Sequence, residues 1–219
     1  MPTIDYRRPR GAAMTGCAAA RPGRQSEAGC GQDAGGRPTA KQQHASRVTF
    51  EQRFQVAALH TLYAYWQELR GNRRAPARAE IDLARIAPVL PNIAIFDVEE
   101  SPRRYRIRLM GTRNVTWYGA DPTGCYLDEI DIGAEGNTLC ALLDRIVELV
   151  VPGHVTGEYI KHDGRVIRFE RLFMPLSNDG RRIDMLIGAV CQLPPDAPLD
   201  GASLDLPETS SQAKGPRPD

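Results

Sequence analysis

The sequence lacks paired cysteines. Cys17, Cys30, Cys125, Cys140 and Cys191 are scattered and odd in number. None stands at the short spacing of a zinc site or a redox disulfide. A disulfide framework is therefore excluded, and a reducing, cytoplasmic setting is expected. Charge imbalance is missing too: the net charge is +1, which leaves no electrostatic footprint for nucleic acid. No apolar run approaches the roughly 20 residues that cross a bilayer. The arginines of the N-terminus are followed by no hydrophobic segment, so neither membrane insertion nor a secretory signal is expected. Catalytic motifs are also absent. There is no phosphate loop, serine nucleophile elbow, zinc-ligand pair or kinase signature. Gly133 and Gly136 have loop-like spacing, but no Lys-Ser/Thr follows them. Asp128, Glu129 and Asp131 cluster where a helical segment begins, and acidic residues there serve the helix dipole or solubility. Without an acid/base pair, the chain is not expected to be an enzyme.

What is present is organised around residues 104–124. Tyr105, Ile107 and Leu109 alternate with Arg104, Arg106 and Arg108, the period of a half-buried strand. Gly111 ends that strand, Thr112 is placed to cap a short helix, and Gly119 stops it in a left-handed turn. Residues 121–124, Asp-Pro-Thr-Gly, then form a turn.

Around this unit the chain divides into four parts. Residues 1–46 are rich in Gly, Ala, Arg, Pro and Gln and cannot offset the entropy of ordering, so a disordered arm is expected. The functional alternative is a basic arm using Arg7, Arg8, Arg10, Arg21 and Arg24; a start codon assigned too far upstream, with Met14 as the true start, is a further one. Residues 47–75 form an amphipathic helix and linker. Thr49 and Gln52 fit a capping box, and Gly71 stops the helix. Residues 76–193 form the main domain: an Asp82-capped helix, two strands, a helical insertion reaching residue 151, and three more strands. Residues 194–219 are Pro-, Asp- and Ser-rich and are expected to be disordered.

The ordered motifs "PARAEID", "LPNIAIFDVE", "RYRIRLMGT", "YGADPTG" and "ERLFMPLSNDGRRIDMLIGA" resemble the PAS domain family, specifically its short stand-alone bacterial members once catalogued as a domain of unknown function. The likeness spans residues 63–190. It departs at Leu83, where a proline would stand. It implies an α+β fold, a five-stranded antiparallel sheet with helices on one face, preceded by the amphipathic N-terminal helix. It also implies a space between sheet and helices that relatives fill with haem, flavin or small metabolites. Haem needs an axial ligand, and His44, His60, His154 and His162 all fall outside the long helix that would supply it. Cys125 follows Gly124 rather than standing in a flavin-adduct motif, and Cys140 has the profile of a small core residue. Haem and photochemical flavin are thus disfavoured, and any cofactor is unknown. A small-molecule ligand would meet Tyr105, Arg113, Trp117 and Arg171; otherwise these aromatics fill the core and the arginines lie on the rim.

The N-terminal helix carries two apolar stripes. Phe54, Ala58, Leu62, Tyr65 and Leu69 form one; Val56, Leu59, Tyr63 and Trp66 form the other. One stripe covers the domain, and the second is expected to form a homodimer interface. The alternative is that a single chain buries both. The resulting functional expectation is a sensory or regulatory domain of bacterial signalling, acting through contact with a protein partner and a candidate small-molecule ligand. A non-sensing scaffold or localisation factor with a filled core is the alternative, and a small enzyme the less favoured one.

Overall fold

Residues 169–177 run Phe-Glu-Arg-Leu-Phe-Met-Pro-Leu-Ser and are all buried. A strand apolar on both faces must be covered on both faces, and this requirement sets the architecture. The computed structural model describes residues 49–130, 135–160 and 164–206. Among them, six strands make one antiparallel sheet in the order β2-β1-β5-β4-β3-β6. The strands are β1 (Ile93–Glu99), β2 (Arg104–Met110), β3 (Gly153–Ile160), β4 (Val166–Leu176), β5 (Met185–Gln192) and β6 (Ala202–Leu204). The helices are α1 (Ala57–Arg70), α2 (Thr112–Tyr118) and α3 (Glu135–Leu149).

The helical insertion between β2 and β3 covers one face, as the sequence implies. There Leu139, Leu143 and Ile146 of α3 and Trp117 of α2 pack on Phe96, Ile107, Phe169, Phe173 and Val190. The alternation in β2 holds only as far as Arg108: Tyr105 and Ile107 point inward, Arg106 and Arg108 outward. A register shift opposite Ile95 and Phe96 then turns Leu109 to the α1 face and Met110 to the α2 and α3 face. Gly111 N–H donates to Ile93 O at 2.8 Å. A side chain at Gly111 would collide with the carbonyl oxygens of Leu90 and Pro91, so glycine lets α2 start flush against the sheet. Thr112 is the first helical residue rather than the cap, and Gly119 closes α2 at φ 88°.

The other face differs from expectation. The sheet has helical cover on both sides, because α1 and a 3₁₀ segment (Leu83–Asn92) pack on Ile93, Ile95, Leu172, Met174 and Ile187. Asp82 caps that segment as expected, its carboxylate accepting from Ala84 N–H at 2.9 Å. Pro88 and Pro91 lie within it, and Ile86 breaks the helical geometry, which excludes a regular α-helix there. Both stripes of α1 face inward. Leu59 is 0% exposed and Trp66 1%; Tyr63 is buried and Val56 half-buried. The expected exposed patch of Val56, Leu59, Tyr63 and Trp66 is therefore not at the surface. The strands themselves supply the second surface that the two stripes demand. Trp66 seals the contact with a 2.9 Å hydrogen bond from Nε1 to Pro175 O.

Two further differences concern the ends. The Thr49–Gln52 capping box forms, with bonds of 2.8 Å and 3.4 Å, but it closes a 3₁₀ turn (Glu51–Arg53) and α1 begins only at Ala57. Past residue 194 the chain stays ordered far enough for Ala202–Leu204 to pair with β3, adding a sixth strand to the five expected. Residues 1–48 and 207–219, with the whole of the expected arm and half of the tail, lie outside the described residues.

Trp66→Ala is expected to cost about 3–5 kcal/mol, the usual range for emptying a buried tryptophan site. Urea unfolding should show a lowered midpoint with an unchanged slope. A variant of wild-type stability that has lost only its self-association would restore Trp66 to an interface between copies.

Candidate functional site

The side of the sheet under α2 and α3 is where a PAS-like ligand would sit, and little room is left there. The space bounded by Phe96, Ile107, Tyr118, Leu139, Arg171 and Phe173 amounts to about 10 Å³, enough for one water at most. Arg171, from the middle of β4, is 1% exposed. Its guanidinium carbon sits 3.7 Å from the centre of the Phe169 ring, a cation–π contact that recovers part of the cost of burying the charge. Trp117 stacks on Tyr118 at 5.3 Å and lies 6.4 Å from Phe169. Among the described residues, side chains of the chain itself occupy most of this interior.

The four residues expected to meet a ligand do not converge. Arg171 borders the small void. Tyr105 is a strut between β2 and α3, its hydroxyl donating to Asp144 Oδ1 at 2.5 Å. Burial and the neighbouring carboxylate hold that phenol far above its ordinary range. Arg113 and Trp117 instead line a groove outside the interior. It lies where β1 begins, β5 ends and β4 begins. Arg113, Thr116 and Trp117 of α2, with Arg165, Ile167 and Gln192, border this open groove of about 630 Å³, a size suited to a small molecule. Asn92 and Asn114 fix α2 beside it. Asn114 Nδ2 donates to Asn92 O at 2.7 Å, and Asn92 Nδ2 donates to Val190 O at 2.9 Å. Arg113 Nη1 donates to Asn92 Oδ1 at 3.0 Å. Arg168, also on β4, is paired with Glu158 at 2.8 Å.

A second polar cluster escaped the sequence reading. On the α1 face, Glu170 and His154 are both fully buried and lie 2.8 Å apart. The same carboxylate accepts from Gln55 N–H at 2.9 Å and Val56 N–H at 3.0 Å. A residue 115 positions away thus satisfies backbone donors left open where α1 starts. Ser203 Oγ stands 3.5 Å from His154 Nδ1, so Ser203, His154 and Glu170 follow the order of an acyl-transfer triad. Both carboxylate oxygens are committed to the main chain, however, and Phe54 packs 5.3 Å from the imidazole. The arrangement is a clamp. Its sequence signal was a lone acidic residue within the apolar run of β4, two residues from which a histidine on β3 is reachable diagonally.

Metal and haem ligands do not meet in the interior. His60 and His154 both pack on the α1 face, while His44 and His162 lie outside the described residues. No group of three or more His, Cys, Asp or Glu able to hold a metal occurs among the described residues. Burial, with Asp144 nearby, pushes the Cys140 thiol up to about 11, so it stays protonated and a poor ligand at neutral pH. No described helix is long and apolar enough to cross a membrane.

A family model described as a PAS domain matches residues 54–191. No curated protein matches. Among solved structures, the PAS domain of Bordetella pertussis BvgS is similar, with a TM-score of 0.41 and 19% identity over 49% of this chain and 82% of that one. The Rhodobacter sphaeroides LOV protein gives a TM-score of 0.38 and 12% identity, over 53% of this chain and 70% of that one. The Vibrio cholerae VqmA dimer gives 0.42 and 14%, over 52% of each chain.

Glu170→Ala is expected to cost about 3–5 kcal/mol, because it strands a buried imidazole and two backbone donors. Native-state hydrogen exchange should quicken first at the amides of residues 55 and 56. Unchanged exchange there, in a folded variant, would show that the carboxylate does not hold the start of α1.

Proposed function

Because the chain belongs to the PAS domain family, we propose that it is a regulatory domain of bacterial signalling that works by protein–protein contact with its interior filled. Family membership supports a sensory or signalling module in general. The observation that carries the finer reading is the interior space of about 10 Å³. Haem and flavin need hundreds of cubic ångströms, and the described histidines stand on the wrong side of the sheet. Arg171 on the Phe169 ring takes up part of that interior.

The reading includes no reaction. The buried His154–Glu170 pair is the nearest approach to acid/base machinery, and it is spent on the backbone of residues 55 and 56. A homodimer remains part of the proposal, but not through Leu59 and Trp66, which the chain buries itself.

Native mass spectrometry of freshly purified protein tests the filled interior: the expected mass is that of the polypeptide alone, and a retained haem or flavin overturns it. Sedimentation at micromolar concentration tests assembly. A dimer is expected, and a monomer would remove self-association from the proposal.

A further inference from the structure

We propose that the groove beside α2 binds a small organic anion, a carboxylate or phosphate carried on a flat apolar body. Its polar lining points one way. Arg113 and Arg165 bring guanidinium groups, Thr116 and Gln192 bring neutral groups, and no carboxylate lines the groove among the described residues. A site whose described lining is rich in donors favours negative charge.

Arg113 is oriented without being neutralised. Its one hydrogen bond among the described residues runs to Asn92 Oδ1 at 3.0 Å. Asn92 is 4% exposed and is itself fixed by Val190 O, so a rigid neutral acceptor aims the guanidinium while leaving its charge intact. Arg104, Arg108 and Arg168 instead each have a carboxylate partner. A guanidinium offers five N–H donors in a planar fork, and the fork of Arg113 stays available to an incoming anion.

Trp117 supplies the second, independent observation. It lines the groove, is 8% exposed, and its Nε1–H is buried without a hydrogen-bond partner. Buried donors are ordinarily satisfied. An acceptor entering from the groove would satisfy this one after a small shift of the ring. The rest of the ring, with Ile167 and Pro91, offers apolar surface for the body of the ligand. An occupant would bridge α2 to the ends of β4 and β5. The site lies outside the filled interior and does not depend on the proposal made for it.

The test titrates the folded chain with benzoate, phenyl phosphate and neutral benzamide while recording the two tryptophan indole N–H resonances. Benzoate, phenyl phosphate or both should move the Trp117 resonance saturably at millimolar concentration and leave Trp66 in place; which anion does so separates carboxylate from phosphate. Benzamide should not bind. Arg113→Ala should weaken binding roughly tenfold or more, the scale of a lost charge-assisted hydrogen bond. If that variant unfolds, Arg113→Gln, which keeps an amide donor for Asn92, replaces it with the same expectation. No saturable shift with either anion, equal binding of benzamide, or full binding by the Arg113 variants each overturns the proposal. Millimolar ligands do not survive purification, so this result and the native mass of the protein can fail separately.

Discussion

Strand β4 places oppositely charged neighbours on opposite faces of one sheet. Glu170 points beneath α1 and Arg171 beneath α2 and α3, and neither is accessible to water. Charges are buried in a protein only where the surroundings answer them, and here each answer defines a layer. The carboxylate is met by an imidazole and by the main chain that leads into α1. The guanidinium rests on an aromatic ring. Leu172, Phe173 and Met174 follow with no exposure at all, each contributing about 1.5–3 kcal/mol of burial energy. Both helical layers therefore pack on β4 together with its neighbours, and this one strand contributes to the core on each side.

This dependence explains why the space under α2 and α3 is so small. Arg171, Phe169, Trp117 and Tyr118 form a continuous run of rings and charge from the void toward the groove. What remains accessible lies outside, at the end of the sheet, where α2 is held by main-chain bonds and two asparagines. The interior is left with a void of only about 10 Å³, while the outer groove keeps its own polar chemistry.

Local features of the chain were legible in its sequence because they follow local rules. The alternation of β2, the cap at Asp82, the stop at Gly119 and the helical insertion on one face all depend on residues within a few positions of one another. The two stripes of α1 correctly marked residues that must leave water. Periodicity says which side chains are buried and not what buries them, so a contact with β4 and β5 could not be told from one with a second copy. Strand β6 was invisible because three residues of modest hydrophobicity, of which Leu204 packs against the core, pair with β3 from across the sequence. The candidate site was the least legible. Tyr105, Arg113, Trp117 and Arg171 share plausible chemistry, but whether they meet depends on sheet order and on the turn of α2, and neither is written in spacing.

The clamp on residues 55 and 56 has a consequence for how the sequence can drift. Glu170 grips amide hydrogens, which every residue except proline carries. Positions 55 and 56 can therefore exchange almost any side chain without loosening the grip, while the gripping side has a single acceptable occupant at 170. For this one contact, at the entry to the first helix, the information is stored almost wholly at the far end. Comparison of related chains would find position 170 nearly fixed and its partners variable, with proline alone missing from them.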